Sequence, residues 1–393
     1  MAVDWSQAPE DILELVCRRL TLLPDNLCFS SVCSSWRSIA VANRSHLPYQ
    51  QLPGLMIRRN NMTHRSFLSL KEGQGSGDHE KEQKRLVLQV AHDYYCCGST
   101  QGWLVLTDDN LDMHLFNPFS GAKIDLPSVN TIPMPIRDFP KDKYDVTKVF
   151  LSSSPTTSPS EILVLMICDG QRMLAYCIVG DKAWTTIDTP KRYYFVEFFK
   201  DAMYYKGQFY ILTATGEIRI CDIDSTTCKL IDFAPSILMM KENGLGGYLV
   251  NLDEELYVVV RTQWYKEDYD TYVTDDGDIV DADGITPLVK FSAFKLAEPE
   301  NKWWEVSSIG DNALFVGYNS SLPISVSSDL LGCKRNCIYF TNDMLPVEDY
   351  EPLGCAVGVF NLEDQSFELL YANEFLDSEP VRPPLMWVTP IPW

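Results

Sequence analysis

"GQFYILTATGEIRICDIDSTTCKLI", residues 207–231, decides the fold. Three apolar runs are interrupted twice, at Thr215–Gly216 and at Asp224 to Thr227. Runs this short, closed by Gly, Asp, Ser and Thr, read as strands joined by tight turns. The same grammar recurs along the chain: an apolar strand, a turn of polar residues, then a strand often opened by Trp or Phe. "GWLVLTDDNLDMHLFNPFSGAKIDLP" (102–127) turns at Asn117, Pro118 and Gly121. "LAYCIVGDKAWTTID" (174–188) turns at Gly180–Asp181, with Trp184 opening the next strand. "VKFSAFKLAEPENKWWEV" (289–306) turns at Glu298 to Asn301, and "CAVGVFNLEDQSFELLY" (355–371) at Glu363 to Gln365.

The turns fall near residues 119, 181, 225, 299 and 364. Their spacing is irregular but close to the ~40–50 residues of one propeller blade plus insertions. A propeller closes its sheets into a ring and leaves only short, protected edges. At ~45 residues per blade, the chain after residue 50 has room for six or seven blades. The expected class is therefore mainly β with a small α N-terminal part. A pair of β-sandwiches is the structural alternative.

The N-terminal part obeys another period. In "PEDILELVCRRLTLLPDNLCFSSVCSSWRSIA" (9–40), Ile12, Leu13, Val16 and Leu20 share one helical face. Pro9 suits the first helical position, and Glu10 and Asp11 suit the positive end of the helix dipole. Pro24 and Asp25 start a second helix with Leu27, Cys28, Ser31 and Val32 on one face. Trp36, Ile39 and Ala40 begin a third. A unit this small makes a marginal core, so its apolar faces need a partner. Charge supports a division at residue 50. Residues 1–60 carry a net +1 and the remainder −22, within a chain total of −21 over 393 residues.

That acidity argues against nucleic acid, because phosphate binding needs clustered Lys and Arg. The start "MAVDWSQAPED" has no apolar signal region, and the longest apolar run, "ILVLMIC" (162–168), is too short for a bilayer. No membrane association is expected. Of the 12 cysteines, Cys17, Cys28, Cys168, Cys177 and Cys221 sit in apolar runs, as reduced, buried thiols do. A cytoplasmic or nuclear location follows, and the Asn-x-Ser/Thr matches at Asn43, Asn61 and Asn319 then carry no meaning.

Chemistry-bearing patterns are sparse. Cys96–Cys97 and "CKRNC" (Cys333, Cys337) lack the paired Cys or Cys/His sets of zinc sites, and read as small buried residues. The histidines, His46, His64, His79, His92 and His114, stand in no metal or catalytic frame, and no Gly-x-Ser-x-Gly elbow exists. No catalytic residue, metal or cofactor is expected. "KEGQGSGDHEKEQKR" (71–85) is a polar loop without a phosphate-loop ending. Eleven acids crowd Asp253 to Asp283, among them Asp275, Asp276 and Asp278. Their spacing does not fit a calcium loop; they form a solvated insertion or an acidic surface for a basic partner. "YYFVEFF" (193–199) and Trp303–Trp304 read as blade core, with the alternative that a few of them grip a peptide on a propeller face.

"APEDILELVCRRL…LCFSSVCSSWRSIA" resembles an F-box, through Pro9, Ile12, Leu13, Leu20, Phe29, Val32, Cys33, Trp36 and Arg37, with Ala8 where many F-boxes carry Leu. "GSTQGWLVLTDD", "LFNPFSGAKIDLP", "WWEVSSIGDNALFVGYNSSLPISV", "GCKRNCIYFTND" and "PPLMWVTPIPW" are similar to the plant F-box group whose C-terminal part is domain of unknown function 295, a kelch-like propeller. The resemblance implies an F-box over 1–50, a substrate-recognition propeller over 51–393, and no catalysis of its own. It implies docking on a Skp-type adaptor, and through it a cullin, by Pro9, Ile12, Leu13, Val16, Leu20, Phe29, Val32, Cys33 and Trp36. An unknown target protein would sit on the propeller, through residues the sequence does not identify. A propeller hydrolase or oxidase with a helical cap, and an F-box scaffold outside any ligase, are the alternatives.

Overall fold

The structure is a computed structural model that describes residues 5, 8–20, 23–43, 52–57, 63–70, 86–133, 141–142, 145–155, 161–189, 197–223, 228–243, 246–264, 271–273, 279–281, 288–317, 320–326, 333–341, 357–371 and 385–391. Three helices come first: α1 (Glu10–Arg19), α2 (Leu23–Ser31) and α3 (Ser34–Ala42). Six blades follow among the described residues, five wholly antiparallel and one mixed, and their innermost strands pack on one another around a ring.

From the centre outward, blade 2 is Tyr95–Thr100, Trp103–Thr107, Met113–Phe116 and Lys123–Leu126. Blade 3 is Val146–Leu151, Leu163–Cys168, Met173–Ile178 and Thr185–Ile187. Blade 4 is Phe199–Tyr205, Gln208–Thr213, Ile218–Ile223 and Cys228–Ala234. A short helix, α4 (Leu238–Asn243), leads into blade 5: Gly246–Leu252, Glu255–Trp264, Leu288–Ala297 and Lys302–Val306. The predicted turns at Asn117–Gly121, Gly180–Asp181, Thr215–Gly216, Glu298–Asn301 and Glu363–Gln365 all join paired strands. The turn Asp224 to Thr227 lies outside the described residues, but its flanks pair, Ile223 with Cys228.

Two blades depart from this plan. In blade 6 the chain lays down the second position first (Asn312–Gly317), returns as the innermost strand (Ser320–Ser325), then adds Cys337–Phe340 parallel to Asn312–Gly317. Val357–Asn361 and Phe367–Tyr371 complete five strands. In blade 1 the outer strands, Gly54–Ile57, His64–Leu68 and Leu86–Ala91, precede the ring, whereas the innermost, Met386–Val388, comes after every other blade. Met56 pairs with Met386. Trp387 is fully buried, packs edge-on against Phe315 of blade 6, and donates its indole N–H to the Val316 carbonyl at 3.1 Å. The strand thus joins blade 6 to blade 1 and closes the ring.

The hydrophobic core is divided among the blade interfaces. Alternate residues of one strand point to opposite faces, and here both faces are covered. Val258 and Val260 pack towards blade 4, while Tyr257 and Val259 pack towards blade 6. This is why Leu163–Cys168 reads as an unbroken apolar run rather than an alternating one. A seventh, small core of Leu13, Cys17, Phe29, Ile39 and Ala40 holds the three helices together.

Two cysteine expectations need correction: Cys28 is exposed rather than buried, and Cys221 is not a reduced thiol. Cys221 and Cys228 are joined as a disulfide across the outer hairpin of blade 4, whereas the other nine described cysteines are not disulfide-bonded. The aligned outer strands bring the two side chains together, which spacing in the sequence does not reveal. Asp275, Asp276 and Asp278 lie outside the described residues, as do His46, His79 and residues 71–85. Among the described residues, no helix is long and apolar enough to cross a membrane.

Candidate functional site

The helical unit is where the sequence placed its binding residues, and the structure sorts them into two groups. Helix α1 turns ~100° per residue, so positions four apart stack on one face. Leu13 and Cys17 stack inward and are buried. Ile12 and Val16, one residue earlier in each pair, stack outward at 46% and 42% exposure, with Leu15 beside them at 56%. The single stripe inferred from sequence is thus two faces. Leu13 and Phe29 are core residues of the unit and do not belong to its outer surface, because three short helices must bury something against one another. Leu20, Cys33 and Trp36 are half-buried, while Pro9 and Val32 are exposed. Leu15, absent from the sequence-derived set, is the additional outward residue. At 100° per residue it falls on the far side of Ile12 and Val16 from Leu13 and Cys17, outside the stripe read from the sequence.

Local interactions fix the unit's shape. Pro9 stands at the N-cap and not at the first helical residue; its carbonyl accepts the Leu13 N–H at 3.1 Å. Glu10 and Asp11 occupy the first turn of α1 and Arg18 and Arg19 the last, both favourable to the helix dipole. Phe29 and Trp36 pack with ring centroids 4.5 Å apart. The Trp36 indole N–H donates to the Trp5 carbonyl at 3.1 Å, and Arg18 Nε donates to Asn43 Oδ1 at 3.1 Å.

The unit is tied to the ring on a different side. Leu27 of α2 packs against the core between blades 1 and 2, beside Leu86, Phe116 and Phe119. A cleft of about 770 Å³ remains at this junction, between Leu27, Arg37 and Val41 of the helices and Val87 and Phe119 of the blades. The third-to-fourth-strand turn of blade 2, Asn117 to Ala122, lines the same cleft. In an antiparallel blade, that turn and the second-to-third connection lie at opposite ends. The connection between Glu255–Trp264 and Leu288–Ala297 of blade 5 is of the second kind. Its strands therefore open on the face of the ring away from the helices.

The ring centre holds a further feature that sequence reasoning missed. Lys148 of blade 3 and Asp201 of blade 4 are buried, with Nζ 3.2 Å from Oδ1. Asp201 Oδ2 accepts the Leu249 N–H of blade 5 at 2.9 Å and the Ser321 hydroxyl of blade 6 at 2.7 Å. Lys148 and Asp201 each follow a β-bulge in an innermost strand, which re-aims the side chain. Neighbouring Lys200 is held by Gln171 at 3.1 Å, and burial, helped by the Lys148 charge, pulls its ammonium below the usual lysine range. A charge inside "DVTKVFL" and another inside "EFFKDAMYY" were the available signals.

The other described candidates, save the pair Cys333 and Cys337, stand apart from one another in the fold. Among the described residues, no three His, Cys, Asp or Glu side chains gather as a metal site would require. Cys333 and Cys337 lie in the core between blades 6 and 1, and burial pushes both thiols up to about 11. His64 is exposed on blade 1, whereas His114 is buried on blade 2, between Tyr94 and Phe116.

A three-helix unit set on a closed six-bladed ring is the architecture of an F-box protein with a C-terminal propeller. Residues 67–361 match the KIB1-4 beta-propeller, and the chain belongs to that family. Similarity to curated Arabidopsis thaliana proteins extends through the helical unit. F-box protein SKIP23 is 24% identical, with 98% of this chain and 96% of that protein covered. F-box protein At2g26160 is 26% identical over 87% of this chain and 96% of that protein, and F-box protein At2g17036 is 24% identical over 98% and 95%.

Proposed function

We propose that the protein is a substrate-receptor subunit of a Skp–cullin–F-box ubiquitin ligase. The helical unit holds a Skp-type adaptor, and through it a cullin. The propeller holds a target protein. The chain itself catalyses no step; it raises the local concentration of target lysines at the ubiquitin-conjugating enzyme. The division of labour falls near residue 50, and the site of action is the cytoplasm or the nucleus.

The observation that carries this reading is the outward face of α1. Ile12, Leu15 and Val16 stay exposed although the unit has a core of its own and rests on the ring through Leu27. Three large apolar side chains on one exposed helix face fit a helix-to-protein contact. The names of the related F-box proteins support the same class. Ser321 and the Leu249 N–H engage the ring's central carboxylate together with Lys148, which favours a structural role for that charge over proton transfer.

The test is a binding assay between the purified full chain and a purified Skp-type adaptor. Ile12→Asp with Val16→Asp should abolish binding while the circular dichroism spectrum stays unchanged, since an unpaired carboxylate in a dry interface is costly. Adaptor binding at wild-type strength by a folded double variant would sink the proposal.

A further inference from the structure

Cys221 and Cys228 lie on the two outer strands of blade 4, Ile218–Ile223 and Cys228–Ala234. Cys221 stands opposite Leu230 and Cys228 opposite Ile223, so the pair is diagonal across the hairpin. Their Cα atoms are 6.4 Å apart, within the ~4.4–6.8 Å that a disulfide spans without moving the backbone. Both side chains face the core between blades 3 and 4. Cys221 is only 1% exposed, whereas Cys228 is half-buried and in reach of a solute. Burial raises the thiols of Cys96, Cys97, Cys177, Cys333 and Cys337, which leaves them protonated and poorly nucleophilic.

The strand that carries Cys228 is the outermost of its blade. Lys229, Ile231 and Asp232 are exposed along it. A strand paired on one side only, with few buried side chains, belongs to the low-stability end of a structure. It also packs beside Thr185–Ile187, the outer strand of blade 3.

We infer that Cys221 and Cys228 are a reversible redox clamp on the outer edge of blade 4, closed by a small-molecule disulfide of the glutathione class and opened by thiols. The Cys228 thiolate attacks one sulfur of oxidised glutathione. The glutathione S–S bond breaks, a mixed disulfide forms, and one glutathione thiolate leaves and takes up a proton. Cys221, deprotonated in turn, displaces the second glutathione thiolate, which is protonated likewise. Two cysteine thiols are oxidised to one disulfide, and one glutathione disulfide is reduced to two thiols. Closure ties the outermost strand to Ile218–Ile223 by a covalent bond. The edge of blade 4 becomes stiff in oxidising conditions and loose in reducing ones.

The experiment incubates the full chain in glutathione buffers of graded redox poise. Alkylation with peptide mass mapping reports the thiols, and amide hydrogen exchange reports residues 228–234. In oxidising buffer, both cysteines should become refractory to alkylation, their peptides should lose two hydrogens, and exchange over 228–234 should slow several-fold. Dithiothreitol should reverse all three. In Cys228→Ser, and separately in Cys221→Ala, exchange should no longer depend on the buffer. The inference is overturned if both thiols stay open to alkylation in the folded chain under oxidising buffer. It is equally overturned if the disulfide forms without slowing exchange, which makes it a passive bond, or if dithiothreitol leaves it intact, which makes it a static one.

Discussion

Lys148 Nζ and Asp201 Oδ1 stand 3.2 Å apart at the centre of the ring, and with Leu249 and Ser321 they tie four consecutive blades to one carboxylate. A buried ion pair is weak evidence for net stability, but breaking one leaves a stranded charge. Asp201→Ala should therefore cost about 3–5 kcal/mol in urea unfolding. Lys148→Met combined with Asp201→Leu should cost clearly less than Asp201→Ala alone. A double variant as unstable as the single one would show that the hydrogen bonds to Leu249 and Ser321, and not the charge, hold the ring.

The two faces of α1 should respond oppositely to truncation. Leu13→Ala opens a cavity in a core of few residues and should cost about 2–4 kcal/mol. Hydrogen exchange over residues 10–42 should accelerate. Ile12→Ala removes an exposed side chain and should change stability by no more than about 0.5 kcal/mol. Equal effects of the two variants would contradict the inward and outward assignment.

Burial pulls His114 down to about 4, aided by Lys123 and opposed by Asp125 and Asp108. The unfolded chain takes up this proton near pH ~6.5, the folded chain only near 4. Between those values the unfolded state binds more protons, so stability falls as pH falls. Above about pH 6.5 the residue contributes no slope. His114→Phe should flatten the acid limb of a urea-midpoint-versus-pH curve and leave the neutral limb parallel to wild type. An unchanged acid limb would mean that His114 takes up its proton in the folded state as readily as in the unfolded one.

Cys333 and Cys337 should behave as core residues. Thiols pushed up to about 11 are protonated at neutral pH, and zinc binds the thiolate. Metal analysis of the purified chain should find well under one zinc per chain. Cys337→Ala should lower the unfolding midpoint without releasing metal. A stoichiometric zinc lost on Cys333→Ser would refute the structural assignment.

What the sequence made legible was local. The five turn signals near residues 119, 181, 225, 299 and 364 correspond one to each of blades 2 to 6, always in the outer hairpin. Such hairpins pair neighbours in the chain, so turn chemistry alone announces them. Blade 1 had no such signature, because its outer strands, His64–Leu68 and Leu86–Ala91, stand too far apart in the chain for a tight turn, and its inner strand comes from Met386–Val388. The parallel pairing of Asn312–Gly317 with Cys337–Phe340 was equally hidden, since no turn residue encodes a crossover. At the helical unit, the residue types for a binding surface were readable, but the split between Ile12 and Leu13 was not. A helical period gives the width of an apolar stripe, not which half of it a neighbouring helix covers. Asp201 lay beyond reach for the same reason as blade 1: its partners stand at positions 148, 249 and 321.

The closure of blade 1 also sets an order of events in synthesis. Met56 finds its partner Met386 only after the intervening chain has left the ribosome. At the ~5–20 residues per second of translation, that interval lasts about 15–70 s. Throughout it, Gly54–Ile57 offers an unpaired edge, the kind of template on which nascent chains mispair. Met386–Val388, the last strand among the described residues, ends this exposure, so synthesis halted between blade 6 and residue 386 leaves an open arc of sheets and a substrate for chaperones.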